Sequence, residues 1–215
     1  MTILTLPSSP GIRASRWGLR GNTAAFISPF NGFSMTVEQI GAMWHAQYTL
    51  PPMSRSQAAA WLAFLVNLNG RGGRFYGYDP DCRTPRGTWA GSPVVNGSNQ
   101  GGASLILDGF TAGATVRAGD YFQVGTELKM VTADGTADGS GNLTVSFKPV
   151  LRGPPADDAA IVSTNPVCIM MLADDEQAAW DADMVSLFGV SFSAVEAIHE
   201  GFATSTTLAG GIVSS

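Results

Sequence analysis

The sequence has few charged residues, and this scarcity limits what the protein can be. Charged residues make up 13% of the 215 residues, about half of the ~25% that is usual in soluble domains. A surface so poor in charge is typical of a subunit whose surface is partly covered by its neighbours in an assembly. The net charge of −5 argues against a nucleic-acid binder.

Cysteines and long apolar runs are also scarce. Cys82 and Cys168 are isolated, so no zinc site is expected and no disulfide can be inferred. The N-terminal MTILTLPSSP lacks the basic region and long apolar core of a signal peptide. The longest apolar run, AAAWLAFLV at residues 58–66, is too short to span a bilayer. We predict a soluble protein without a membrane span, made in a reducing cytoplasm.

Catalytic motifs are missing as well. The two histidines, His45 and His199, have no HExxH arrangement around them, and no GxSxG nucleophile turn occurs. GRGGRF follows a predicted helix and runs into a strand, the wrong order for a phosphate-binding loop. We therefore predict that the protein is not an enzyme and holds no cofactor and no metal.

One Asp-rich and Gly-rich segment, TADGTADGSGNLTVSF at residues 132–147, has two interpretations. It could be a calcium loop, or a long hairpin turn between two strands. Asp134 and Asp138 are four residues apart, which does not fit the alternating ligands of an EF-hand loop. Because Asp and Asn bond readily to their own backbone in turns, we favour the turn and keep calcium as the alternative.

The hydrophobic patterns that are present predict a mainly β protein with one α-helix. In MWHAQYTL, alternation places Trp44, Ala46 and Tyr48 on one face, and Leu143, Val145 and Phe147 alternate in the same way. The helix is predicted at about 54–69, with Ser54 as N-cap, Gln57 completing a capping box and Gly70 ending it. Trp61 and Leu65 are expected to cover a sheet.

Three zones follow along the chain. Residues 1–78 and 166–200 are similar in character and are predicted to form one β-sandwich. Residues 79–165 carry short strands and no convincing helix, and are predicted to be an inserted small antiparallel β-barrel or sandwich. Residues 201–215 form a nearly uncharged C-terminal tail.

Charge is divided unevenly between the two halves. Residues 1–100 carry eight arginines against three acidic groups, a net of +5, whereas residues 101–215 carry four basic and fourteen acidic groups, a net of −10. Four arginines lie close together with aromatic residues among them: Arg71, Arg74, Arg83 and Arg86. They could bind single-stranded nucleic acid or face the carboxylates of a neighbouring subunit. We favour the second, as a subunit interface.

Three segments together resemble the distal tail proteins of long-tailed bacteriophages and their prophages. They are WHAQYTLPPMSRSQAAAWLAFLVNLNGRGGRFYGYDP, AGDYFQVGTELKMVTADGTADGSGNLTVSFKPVLRGPP and VSLFGVSFSAVEA. The resemblance implies a structural virion protein that forms a ring, commonly a hexamer, at the tail tip. Such a ring joins the tail tube to the baseplate hub and to fibre or receptor-binding proteins. It also implies a belt β-sandwich domain, here residues 1–78 with 166–200, carrying an inserted outer β domain.

A carbohydrate-binding or receptor-binding module of a phage tail is the alternative function. In that case Trp89, expected on an exposed loop, would stack on a sugar. The resemblance places the protein in the virion after synthesis in the host bacterial cytoplasm.

Overall fold

The structure, a computed structural model, describes residues 2–38, 41–182 and 187–198. Within these ranges the chain is mainly β with one α-helix, which confirms the predicted fold class. His199, Asp183 and the predicted C-terminal tail at 201–215 lie outside the described residues.

The described residues form the following helix and strands in chain order. The first part of the chain forms β1 (Ile3–Thr5), β2 (Ala14–Arg20), β3 (Thr23–Ile27), β4 (Ser34–Glu38), β5 (Met43–Thr49), α1 (Arg55–Leu68), a 3-10 turn (Gly70–Gly72) and β6 (Arg74–Gly77). The middle part forms β7 (Gly91–Val95), β8 (Ser104–Phe110), β9 (Thr115–Val116), β10 (Tyr121–Val124), β11 (Glu127–Val131), β12 (Gly135–Thr136), β13 (Leu143–Lys148) and β14 (Ile161–Val162). The last part forms β15 (Cys168–Leu172), β16 (Asp181–Ala182), β17 (Phe188–Gly189) and β18 (Ser191–Glu196).

The first six-stranded sheet combines strands from both ends of the chain. Its order is β1-β6-β15-β18-β5-β2, antiparallel except for the parallel pair β1–β6. Trp44, Ala46 and Tyr48 of β5 are buried on its inner face, as their alternation predicts. The sheet therefore has a packed inner face and an outer face that α1 does not cover.

Helix α1 packs on the inner face of this sheet. Its N terminus is held where the backbone N–H of Ser54 donates to Gln57 Oε1 at 3.1 Å, one half of the predicted capping box. Trp61 and Leu65 are fully buried, and the Trp61 ring lies 6.2 Å from that of Phe192 in the sheet. Asn69, with φ of 50°, is the left-handed C-cap of the helix, and Gly70, the predicted terminator, follows it with a positive φ of 64°. Asn tolerates this conformation because its short side chain bonds locally.

The second six-stranded sheet lies entirely within residues 91–162 and has the order β14-β10-β11-β13-β8-β7. It curls into a nearly closed barrel because its end strands meet. The N–H of Val95 donates to Ala159 O at 3.0 Å, and Val94 forms a bridge with Ala160. Phe122 and Phe147 fill its interior edge to face, with ring centroids 5.5 Å apart. Leu143, Val145 and Phe147 are buried as predicted.

The two sheets share a boundary. The indole N–H of Trp44 in the first sheet donates to Leu128 O in the second at 2.9 Å, and Tyr121 and Leu128 belong to the first core. Arg152, after β13, forms a two-pronged ion pair with the buried Glu196 of β18. These contacts tie the barrel to the first sheet. The division of the chain into domains stays a prediction.

Candidate assembly surface

The hairpin of β3 and β4 stands apart from both sheets. The two strands pair only with each other, with Phe26 opposite Met35 and Ala24 opposite Val37. The turn between them is closed where Ser28 N–H donates to Phe33 O at 2.8 Å and Phe33 N–H donates to Asn31 Oδ1 at 3.1 Å. Gly32 has a positive φ of 68°, as this Asn-Gly turn requires. The hairpin is thus a well-formed local structure.

One face of the hairpin is apolar. Directly opposite residues in an antiparallel pair point to the same face, so Phe26, Met35, Ala24 and Val37 share one face. Phe33 precedes Met35 by two residues and continues that alternation. The opposite face presents Ala25, Thr36, Ile27 and Ser34. This is the pattern of a strand pair that packs on a core on one side.

No core covers this apolar face within the described part of the chain. Phe26 is 65% exposed, Phe33 is 66% exposed and Phe30 at the turn is 98% exposed. At roughly 200 Å² for a whole aromatic residue, these three alone expose on the order of 450 Å². That already falls within the ~300–600 Å² of the largest apolar patch on a typical monomer. Met35 and Val37 of the same face are each more than half exposed and enlarge the patch.

A hairpin of two strands is marginally stable by itself in water. Its apolar face would need packing against a third strand or another surface to be held in place. The described chain offers it neither, since neither hydrophobic core contains a residue of the hairpin. The hairpin therefore has the properties of an arm that binds a partner.

A second open surface lies on the outer face of the first sheet. The pairings place Gly18, His45, Val195 and Met171 in one row across β2, β5, β18 and β15, and all four are half-buried. A groove of about 600 Å³ runs over this face. Its lining includes Leu19, Ala173 and Val195, together with Arg16, Arg20 and His45. The groove is thus partly apolar and carries positive charge.

His45, which sequence analysis singled out as one of two histidines, lines this groove. Its Nδ1 atom is buried and has no hydrogen-bond partner in the described structure. A buried ring nitrogen without a partner costs free energy unless a further group reaches it. The other histidine, His199, lies outside the described residues, so His45 is the histidine whose surroundings can be described.

The four predicted interface arginines all make contacts within the chain itself. The Arg74 guanidinium donates to the carbonyls of Arg71 and Gly73, at 2.8 and 2.9 Å, and so satisfies the end of the 3-10 turn. Arg83 lies over the Tyr78 ring at 3.8 Å and donates to Asn165. Arg86 donates to Ala118 O at 3.3 Å, and the Arg71 backbone N–H donates to Asp175. Their role at a subunit interface stays a prediction.

The prediction that Trp89 lies on an exposed loop is wrong. Its side chain is 5% exposed and packs in the barrel core, with the ring 5.7 Å from that of Phe122. The indole N–H donates to Asp120 Oδ2 at 2.9 Å, and Asp120 also accepts from the N–H groups of Arg86 and Gly87. The buried Asp120 carboxylate thus fixes the loop of residues 86–89 against the barrel. A ring held in this way offers no open face to a sugar.

The Asp-rich segment forms turns, as favoured from its spacing. β11 and β13 pair antiparallel, and Asp138 Oδ1 accepts from the N–H groups of Ser140 and Asn142, each at 2.8 Å. These bonds lower the pKa of Asp138, with the Asn142 N–H as the largest cause. The Ala118 N–H, followed by Arg117, lowers the pKa of Asp134. Both carboxylates thus accept hydrogen bonds from backbone N–H groups of the chain itself.

No group of three or more His, Cys, Asp or Glu side chains in the described ranges could hold a metal ion. The helices of the described residues also include none that is long and apolar enough to cross a membrane.

Cys82 and Cys168 are free thiols, and burial is the largest cause that raises the pKa of each.

Sequence analysis missed the hairpin as a functional element, although its signal was present. Phe33, Met35 and Val37 alternate with Ser34 and Thr36 after an Asn-Gly turn, a strong hairpin pattern. The pattern predicts that one face is covered. It does not reveal that the chain itself leaves that face open.

The chain matches no protein-family model, and no curated protein is significantly similar to it in sequence.

Proposed function

We propose that the protein is a structural subunit of a bacteriophage tail tip. Copies of the chain would form a ring, with six subunits expected, at the distal end of the tail. The ring would join the tail tube protein to the baseplate hub and to the fibre or receptor-binding proteins. In this proposal the protein is a non-enzymatic component of the virion, made in the cytoplasm of the host bacterium.

The observation that carries this proposal is the uncovered hairpin. An amphipathic strand pair with an apolar face of several hundred Å² is unfavourable on a protein that remains alone in water. It is expected on a subunit whose surfaces are covered in an assembly. The low charge content of 13% supports the same conclusion. The resemblance of the three quoted segments to distal tail proteins specifies which assembly we propose.

The alternative function, a carbohydrate-binding module, loses its supporting residue. Trp89 was the proposed sugar contact, and its ring is enclosed in the barrel core. We therefore propose the structural role alone.

Assembly and location can be tested separately. Sedimentation velocity at micromolar concentration should reveal a species several times the 22.4 kDa of one chain, and negative-stain imaging should show closed rings. Immunogold labelling of phage particles should then mark one end of the tail. A protein that stays monomeric up to about 100 μM would contradict the ring, and labelling of the capsid would contradict the location.

A further inference from the structure

We propose that the apolar hairpin face of one copy docks in the groove on the outer face of the first sheet of a second copy. The hairpin face consists of Phe26, Phe33, Met35 and Val37, with Phe30 at the tip. The groove is the one that Arg16, Arg20, His45 and Val195 line. The inference rests on the proposed function, since both require the chain to associate with itself.

The area of the hairpin suits a contact between whole subunits. The three phenylalanines expose roughly 450 Å², and Met35 and Val37 of the same face are each more than half exposed. Together they approach the ~800 Å² that each partner contributes to a stable interface of standard size. Phe and Met, the larger side chains of this patch, are also enriched in the cores of protein interfaces.

The charges of the two surfaces are compatible. Between residues 21 and 42 the only ionisable residue is Glu38, so the arm brings no positive charge. The groove carries Arg16 and Arg20, which would repel a basic segment but not this one.

The position of the hairpin favours a second copy as the occupant. Only two residues separate the end of β2 at Arg20 from the start of β3 at Thr23, and Arg20 itself lines the groove. The arm therefore starts at the border of its own groove, yet in the described structure its apolar side chains remain exposed. The hairpin does not cover the groove of its own chain. It extends from the edge strand of the same sheet, and this position would let it reach the groove of an adjacent copy.

The two surfaces are different, so the contact is head to tail. Each copy would use its hairpin on one neighbour and its groove on another, which leaves one free arm and one free groove after each addition. Such a heterologous contact produces a ring when the rotation between copies closes, and a filament when it does not. A symmetric pairing of two hairpins would instead stop at a dimer.

Complementary variants test this arrangement. Phe30→Lys/Met35→Lys should disable the arm, and Gln47→Trp, at an exposed position that lines the groove, should block the acceptor. Each variant alone should be monomeric, with self-association weakened at least tenfold. An equimolar mixture should form a heterodimer and stop there, because only one intact arm and one intact groove remain. Val66→Lys, which alters an exposed apolar side chain on α1, is the matched control and should assemble normally.

Cross-linking provides a second readout in which the fold is barely changed. In a Cys82→Ser background, Phe30→Cys chains mixed with Gln47→Cys chains should be joined by a short thiol cross-linker, and neither variant alone should be. Circular dichroism checks that each variant is folded.

The outcomes separate this inference from the proposed function. If Phe30→Cys chains cross-link to each other and Gln47→Trp still assembles, the contact is between hairpins and the inference is wrong, while self-assembly stands. If wild-type protein assembles and Phe30→Lys/Met35→Lys assembles equally well, the arm is not the contact. If the wild-type chain does not self-associate at all, the proposed ring fails together with the inference.

Discussion

Replacing Arg152 by Met should destabilise the protein strongly, because Arg152 neutralises a buried carboxylate between the two sheets. Its Nη1 and Nη2 atoms each lie 2.7 Å from an oxygen of Glu196, and Nη2 also donates to Ala42 O at 3.2 Å. The Glu196 side chain is 2% exposed. Without Arg152 it would keep, among the described residues, the bond from the backbone N–H of Trp44 at 3.0 Å.

The expected magnitude follows from this burial. Removing one partner of a buried ion pair leaves an uncompensated charge and costs about 3–5 kcal/mol. With a urea slope of roughly 2–3 kcal/mol per molar for a chain of this size, the unfolding midpoint should fall by about 1–2 M. Tryptophan fluorescence can follow the transition at a concentration at which the protein is monomeric.

Two comparisons make the measurement specific. Arg117→Met breaks the Arg117–Asp134 pair, whose side chains are 44% and 56% exposed, and should cost less than about 1 kcal/mol. The double variant Arg152→Met/Glu196→Gln removes both charges and should recover a large part of the loss. If Arg152→Met costs no more than Arg117→Met, or if the double variant is worse than the single one, the buried pair does not hold the sheets as we argue.

Three further predictions concern the loop, the turn and a close backbone approach. Trp89→Ala should lose about 3–5 kcal/mol of unfolding free energy, because it empties part of the barrel core; thermal unfolding measures this, and a loss below 1 kcal/mol would contradict the burial. Asp138→Asn should reduce the loss of stability on acidification. The pKa of Asp138 is lowered in the folded state, so its ionised carboxylate stabilises the fold above the ordinary pKa of 3.8, and this stabilisation is lost as pH falls below that value. Plots of stability against acidic pH with parallel slopes for wild type and variant would refute this. Gly87→Ala should lower the melting temperature by several degrees, because a Cβ at this position would lie 2.4 Å from Thr115 O. The control Gly139→Ala places its Cβ in open space and should change the melting temperature little. Equal shifts for the two variants would show that the loop around Gly87 relaxes freely.

Patterns that are local in sequence were predicted correctly. The alternation in β5 and β13 and the 3.6-residue repeat of α1 each depend on neighbours within a few residues, and these determine which side chains share a face. The Asp138 turn is equally local, since its partners Ser140 and Asn142 are two and four residues away. Such features follow from backbone geometry before any long-range contact forms.

Features that depend on distant residues were decided by the tertiary structure. Trp89 is buried because Asp120, 31 residues further along, accepts its indole N–H, and nothing in the loop composition indicates that partner. Arg152 meets Glu196 across 44 residues of sequence, and the closure of the barrel joins strands from its two ends. The same holds for the hairpin. Its alternation separates an apolar face from a more polar one, but whether a core lies opposite the apolar face depends on where every other element packs, and the described chain places none there.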